Sequence, residues 1–245
     1  SPIDLTAMTS LRPILLLSFL YLNMGGSAQV FIPDQVERDW LNTEIPGIVD
    51  GNGIMDTLHP GIAQLDTTLI FIGVAPIDIV LRSIGHLHSL VKFSAATDPG
   101  PVNTDPIEFA ILEVPSSLRT MVIQLMTNGI STVSLPALPP LMDRIDVFTI
   151  LAPGSSLTID TLPETLDRFN VSGIANMIWN GECHAARMEI TEVGTQMVPW
   201  STTVPPITTD ILSLNSIYIA DLVLSGITAT QLLTEVVYFM NGTLA

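Results

Sequence analysis

Eighteen prolines and sixteen glycines cut the 245 residues into short segments. Proline breaks helices and cannot donate to a sheet ladder, and glycine frees the backbone to turn, so a chain divided this finely favours short strands over long helices. The segments in between are rich in Ile, Val, Thr and Phe, residues suited to a pleated, half-buried surface. Strand character covers residues 29–32, 68–74, 77–82, 86–94, 107–114, 121–126, 130–135, 144–151, 156–159, 173–179, 183–192, 217–224 and 235–240. Elements of this number and spacing predict a mainly β fold, a two-sheet antiparallel sandwich of jelly-roll type with a few short helices in its connections.

Two dipeptides sharpen that expectation. Asn180-Gly181 stands between two apolar runs, and Asn and Gly both tolerate the positive φ of a tight turn, which predicts a hairpin. Asn128-Gly129 predicts a second one. Alternation along Arg187-Met188-Glu189-Ile190-Thr191 turns Met188 and Ile190 inward. The clearest helix runs over 34–43, opened by Asp34, with Val36, Trp40 and Leu41 on one side. Residues 116–126 and 228–237 carry weaker helical alternatives. Proline-rich loops lie at 98–101, 136–140 and 200–206; if the chain holds two domains rather than one, the boundary falls at 136–140. No internal repeat is visible.

Charge narrows the functional classes. Only 13% of residues are charged, with 24 acids against one lysine and seven arginines, for a net charge of -16. The cations stand singly along the chain at Arg12, Arg38, Arg82, Lys92, Arg119, Arg144, Arg168 and Arg187. Direct nucleic-acid binding depends on clustered cations that displace counterions, so this balance argues against it and against anionic membrane surfaces. With 47% hydrophobic residues, part of the exterior is expected to be buried against other subunits. The one cysteine, Cys183, permits no intrachain disulfide and no multi-cysteine zinc site.

Residues 13–22 form an apolar run between Arg12 and small residues, imitating a leader. The run is too short to span a bilayer, and a buried segment or subunit contact over residues 12–33 is the preferred reading. Asn170-Val171-Ser172 and Asn241-Gly242-Thr243 match the glycosylation pattern.

Several constellations could carry chemistry. His86 and His88 would share one strand face at a spacing able to chelate zinc, against a plain pair of edge histidines. Asp50-Gly51-Asn52-Gly53-Ile54-Met55-Asp56 offers oxygens at alternate positions, as calcium requires, but an Asx-type turn explains the same residues. Cys183 and His184 are neighbours, and strand alternation would point them to opposite faces, so they make no thiolate–imidazolium couple. The acid pairs Asp143 with Asp146 and Glu189 with Glu192 have no context that marks them for catalysis. Trp40, Trp179 and Trp200 are too dispersed for an evident stacking platform. No catalytic, cofactor-binding or metal-binding residue is therefore assigned.

The reading these observations favour is a structural, non-enzymatic subunit that self-assembles or packs with other structural subunits into a shell or filament. A virion coat or outer-shell protein, or another extracellular assembly, is the leading form, without direct nucleic-acid contact and without a membrane span. The alternatives are a secreted or surface-displayed β-sandwich binding module, with calcium at Asp50 to Asp56, and a metal- or cysteine-dependent enzyme.

Overall fold

Between residues 67 and 191, successive strands along the chain do not pair with each other; each pairs, in parallel, with a strand about one coil further on. The computed structural model describes residues 29–72, 77–97, 106–127, 129–150, 154–174, 176–191, 207–215, 217–219, 227–235 and 237–239. Strands β3 (Thr67–Ile72), β5 (Lys92–Thr97), β7 (Thr120–Leu125), β9 (Arg144–Thr149), β11 (Thr165–Ser172) and β13 (His184–Thr191) lie in one sheet. Alternating with them along the chain, β4 (Ile77–Leu81), β6 (Ile107–Ile111), β8 (Ser131–Ala137), β10 (Ser156–Thr161) and β12 (Asn176–Trp179) form a second. The first sheet continues through β14 (Ile207–Asn215) and ends at β16 (Ile227–Thr234), while β15 (Ile217–Ile219) and β17 (Val237–Phe239) form a parallel pair of their own. The architecture is a parallel β-solenoid of about five turns.

This overturns the antiparallel jelly-roll sandwich. The error lies in the turns. Asn180-Gly181 does not close a hairpin: it carries the chain from β12 to β13, which belong to different sheets. Gly181 has φ +88°, and the Asn180 carbonyl accepts from Leu162 N at 3.0 Å, so this corner stacks on the corner one turn earlier. Gly129 likewise precedes a strand of the opposite sheet, and Asn128 lies outside the described residues. A positive-φ residue reverses the chain in both geometries; what differs is the partner found after the bend, which local sequence does not encode.

Other elements shift too. Residues 116–126 contain a turn and then β7, and 228–237 contain β16, so neither helical alternative forms. Strands β11 and β14 were not legible as strands. Both sheets run through 136–140 without a break.

The core is a set of columns one residue wide. Phe93, Met121, Ile145, Phe169, Met188 and Leu212 are successive partners in register, all buried. Ala95, Ile123, Val147, Val171, Ile190 and Leu214 make the next column. The second sheet answers with Ile79, Phe109, Val133, Leu157 and Met177. Each turn buries its apolar face only against its neighbours, so the two ends of the stack need covers.

The N-terminal end has one. Helix α1 (Gln35–Glu44) forms where the sequence predicts, with Asp34 accepting from Glu37 N at its cap. Trp40 donates its indole N–H to Thr68 on β3 at 3.1 Å and meets Phe93 edge-on at 6.4 Å between centroids. Glu37, also on the buried side, inserts its carboxylate into the first corner of the solenoid. Its Oε1 accepts from Arg82 N, Ser83 N and Ser83 Oγ at 2.7–2.8 Å. The antiparallel pair β1 (Gln29–Phe31) and β2 (Ile54–Asp56) completes this cap. Among the described residues, no helix is long and apolar enough to cross a membrane.

Candidate functional site

Register assembles what the sequence scatters. Thr67 pairs with Lys92, Lys92 with Thr120, Thr120 with Arg144, Arg144 with Arg168 and Arg168 with Arg187, so the chain returns after 25, 28, 24, 24 and 19 residues. Four of the eight cations thus stand in one column on the outer face of the eight-stranded sheet. Because strands lie about 4.8 Å apart, Arg144, Arg168 and Arg187 are immediate neighbours despite their distance in sequence.

A repeated bulge places this column. The Val91 carbonyl accepts from both Arg119 N and Thr120 N, that of Arg119 from Asp143 N and Arg144 N, and that of Asp143 from Asp167 N and Arg168 N. Two successive residues then face outward between two inward ones: Asp143 and Arg144 between Met142 and Ile145, Asp167 and Arg168 between Leu166 and Phe169. Such bulges re-aim side chains and are unusual in parallel pairing. They also reveal a repeat hidden in the sequence, inward–outward–outward–inward, at Leu90 to Phe93, Leu118 to Met121, Met142 to Ile145, Leu166 to Phe169 and Ala185 to Met188.

The arginines are tied to acids two residues further along the strands, at the next outward position. Arg144 Nε contacts Asp146 Oδ2 at 2.5 Å, and Arg168 Nε stands 3.6 Å from Asp146 Oδ1. Arg168 Nη2 and Arg187 Nε each reach Glu189, both at 2.5 Å. Asp146 is fully buried, with those two guanidiniums as its ion-pair partners. The network joins β9, β11 and β13 across the sheet. Asn170, the first glycosylation candidate, lies between Asp146 and Glu189 in register and is 5% exposed, which leaves no room for a glycan on it in the folded chain. Asn241 lies outside the described residues.

At the corners where the second sheet feeds the first, two clefts of about 420 and 510 Å³ both include His184 in their walls. Asp143 and Asp167 line one, Glu164 and Glu182 the other. His184 Nε2 lies 3.1 Å from Asp210 Oδ1, both side chains largely exposed. Cys183 turns the other way, into the core, and burial pushes its thiol up to about 11. At neutral pH it is a packing residue rather than a nucleophile.

The remaining candidates separate. His86 ends a single 3-10 turn (Ile84–His86), and His88 stands in the loop before β5, so the strand expected over 86–94 begins only at Lys92 and the two imidazoles share no strand face. Asp50 spends its carboxylate on its own loop: Oδ1 accepts from Asn52 N at 2.9 Å and Ile54 N at 2.8 Å, which lowers its pKa, while Gly53 turns at φ +80°. That is the Asx-type turn. Among the described residues no group of three His, Cys, Asp or Glu could hold a metal ion. Trp40 and Trp179 are buried, the latter edge-on to Phe169 at 5.3 Å. Residues 1–28, Glu192 and Trp200 lie outside the described residues.

The far end of the solenoid differs from the capped one. Leu232 of β16 lies over Leu212 and so extends the first core column, yet it is 52% exposed against 2% for Leu212. Thr228 to Thr234 are all exposed, and among the described residues no strand pairs with the outer edge of β16. Glu235 N donates to Leu214 O. Because backbone groups alternate in direction along a strand, the amides of Leu232 and Thr234 then point away from β14, toward that free edge. Among the described residues nothing covers this end of the hydrophobic core.

Comparison with protein-family models, with curated proteins and with solved structures finds no match to this chain.

Proposed function

We propose that this chain is a structural building block, a stiff β-solenoid that joins a larger assembly and performs no chemistry of its own. The open end at β16 carries the reading: a core column that terminates on a half-exposed leucine, beside a strand edge with which no strand among the described residues pairs, is an incomplete surface that another polypeptide completes. Exposed Phe31, Leu69 and Phe71 add apolar area of the kind that subunit contacts cover. The reading rests on the apolar excess and the open end rather than on a sandwich fold, and a virion coat, an outer shell or a filament are forms such an assembly takes.

Direct nucleic-acid contact is not part of the role. Three arginines of the ladder are engaged by Asp146 and Glu189, and exposed Asp143 and Asp167 stand in the bulge positions beside it. Light scattering of the purified full chain, with electron microscopy of the same sample, tests the proposal. A defined multimer or a larger particle is expected; a monodisperse monomer at high concentration would sink it.

A further inference from the structure

We infer that the open end pairs with the same end of a second copy, β16 against β16 about a twofold axis, to give a closed tail-to-tail dimer. This rests on the assembly reading above and names its partner and symmetry.

Three observations lead there. First, the two ends are unlike. The N-terminal end is covered by α1, with Trp40 across β3 and Phe93. Head-to-tail stacking, which would need both ends open and would propagate without limit, therefore has no free acceptor end. A contact that uses one end twice is isologous and closes.

Second, the edge carries none of the devices that keep strands apart. Between Ile227 and Thr234 the sequence is ITATQLLT, without a charge and without a proline. Natural edges are commonly blunted by Lys, Pro or an inward charge. In a chain of net charge -16, two copies approach most readily where each is neutral. Twofold pairing makes the strands antiparallel and brings Gln231, next to the middle of β16, near its own counterpart, with no like charges opposed.

Third, the area suffices. An eight-residue strand is about 26 Å long, and two sheets with their outer side chains are about 20 Å thick, so the end covers about 1,000 Å² over two copies, at the lower bound for a specific interface. The contact would bury Leu232 in both copies and extend the eight-stranded sheet across the axis.

The test uses the full chain and two variants, Leu232→Lys and Gln231→Lys, followed by analytical ultracentrifugation, small-angle scattering and thermal melts. The expected species has twice the 26.4 kDa of one chain and an elongated profile. Leu232→Lys places two charges at the buried centre and is expected to weaken the dimer at least about tenfold. Gln231→Lys sits on an exposed, outward position that folding does not depend on, so it reads the interface even if the first variant unfolds. Assembly that survives both variants, a compact side-by-side dimer, or open filaments would each overturn the tail-to-tail contact while leaving a self-assembling subunit in place. A monomer at every concentration overturns both readings.

Discussion

Ser83 donates twice to a single oxygen of Glu37, through its amide at 2.8 Å and its hydroxyl at 2.7 Å. Forty-six residues apart in sequence and both fully buried, the pair fastens the N-terminal cap to the first corner of the solenoid. Glu37→Ala strands these donors in a buried site and is expected to cost about 2–4 kcal/mol in urea unfolding, by loss of buried hydrogen bonds and of packing.

Burial raises the Glu37 pKa above its ordinary 4.5, against the opposing hydrogen bonds from Ser83 and Arg82. The folded state therefore keeps this proton to a higher pH than the unfolded chain does. Its contribution to stability is full below about pH 4.5 and is lost as pH rises through the folded value. Glu37→Gln keeps an acceptor at Oε1 and cannot ionise. The difference in melting temperature, wild type minus Glu37→Gln, should fall as pH climbs above 4.5; a flat difference would contradict the assignment.

Arg168 spans two acids, whereas Arg187 touches one that Arg168 also holds. Arg168→Ala leaves buried Asp146 with Arg144 alone and is expected to destabilise by about 1–3 kcal/mol. Arg187→Ala, at the exposed side of the network, should cost about 0.5 kcal/mol or less. Denaturant midpoints at low and high salt check both. Equal losses for the two variants would mean that Asp146 does not depend on Arg168.

Gly173 turns at φ +74°, and a Cβ there would fall on the Thr149 carbonyl. Gly173→Ala is expected to cost more than about 3 kcal/mol, since strain and collision add. Gly47 has a similar φ of +83° with open space around it, so Gly47→Ala should cost only about 1 kcal/mol. Thermal melts of the two variants separate backbone strain from crowding.

Cys183 is buried, with its thiol raised to about 11. Iodoacetamide at pH 7.5 should label it slowly in the native chain and rapidly in urea, tracking unfolding. Fast native labelling would show that the corner between β12 and β13 opens.

The limits of sequence reading here have physical causes. The α1 segment was legible because its cap and its apolar side are local, with Asp34 and Trp40 within two turns of each other. The inward alternation of Met188 and Ile190 was legible for the same reason. The hairpins do not form because Asn180-Gly181 dictates a bend and says nothing of the strand that follows it. The repeat is hard to see in the sequence because the turn length wanders between 19 and 28 residues, and the shared feature is a two-residue outward bulge filled by Val-Lys, Arg-Thr, Asp-Arg, Asp-Arg and Ala-Arg in turn. Spacing the pairs of inward residues around Lys92, Arg144, Arg168 and Arg187 would have exposed it. The clefts at His184 and the buried carboxylate of Glu37 left no such local trace.

Composition and local chemistry alone determined that the chain would be mostly short strands, poor in cations and too apolar to be covered by charge, because turn preference and hydropathy are properties of neighbours. Only the tertiary structure decided that the strands coil in parallel, that four scattered cations form one column, and that one end of the core is sealed by Trp40 while the other is left at Leu232. Strand partners are chosen by contacts some two dozen residues apart, and at that range the decisive quantity is which faces can be buried together.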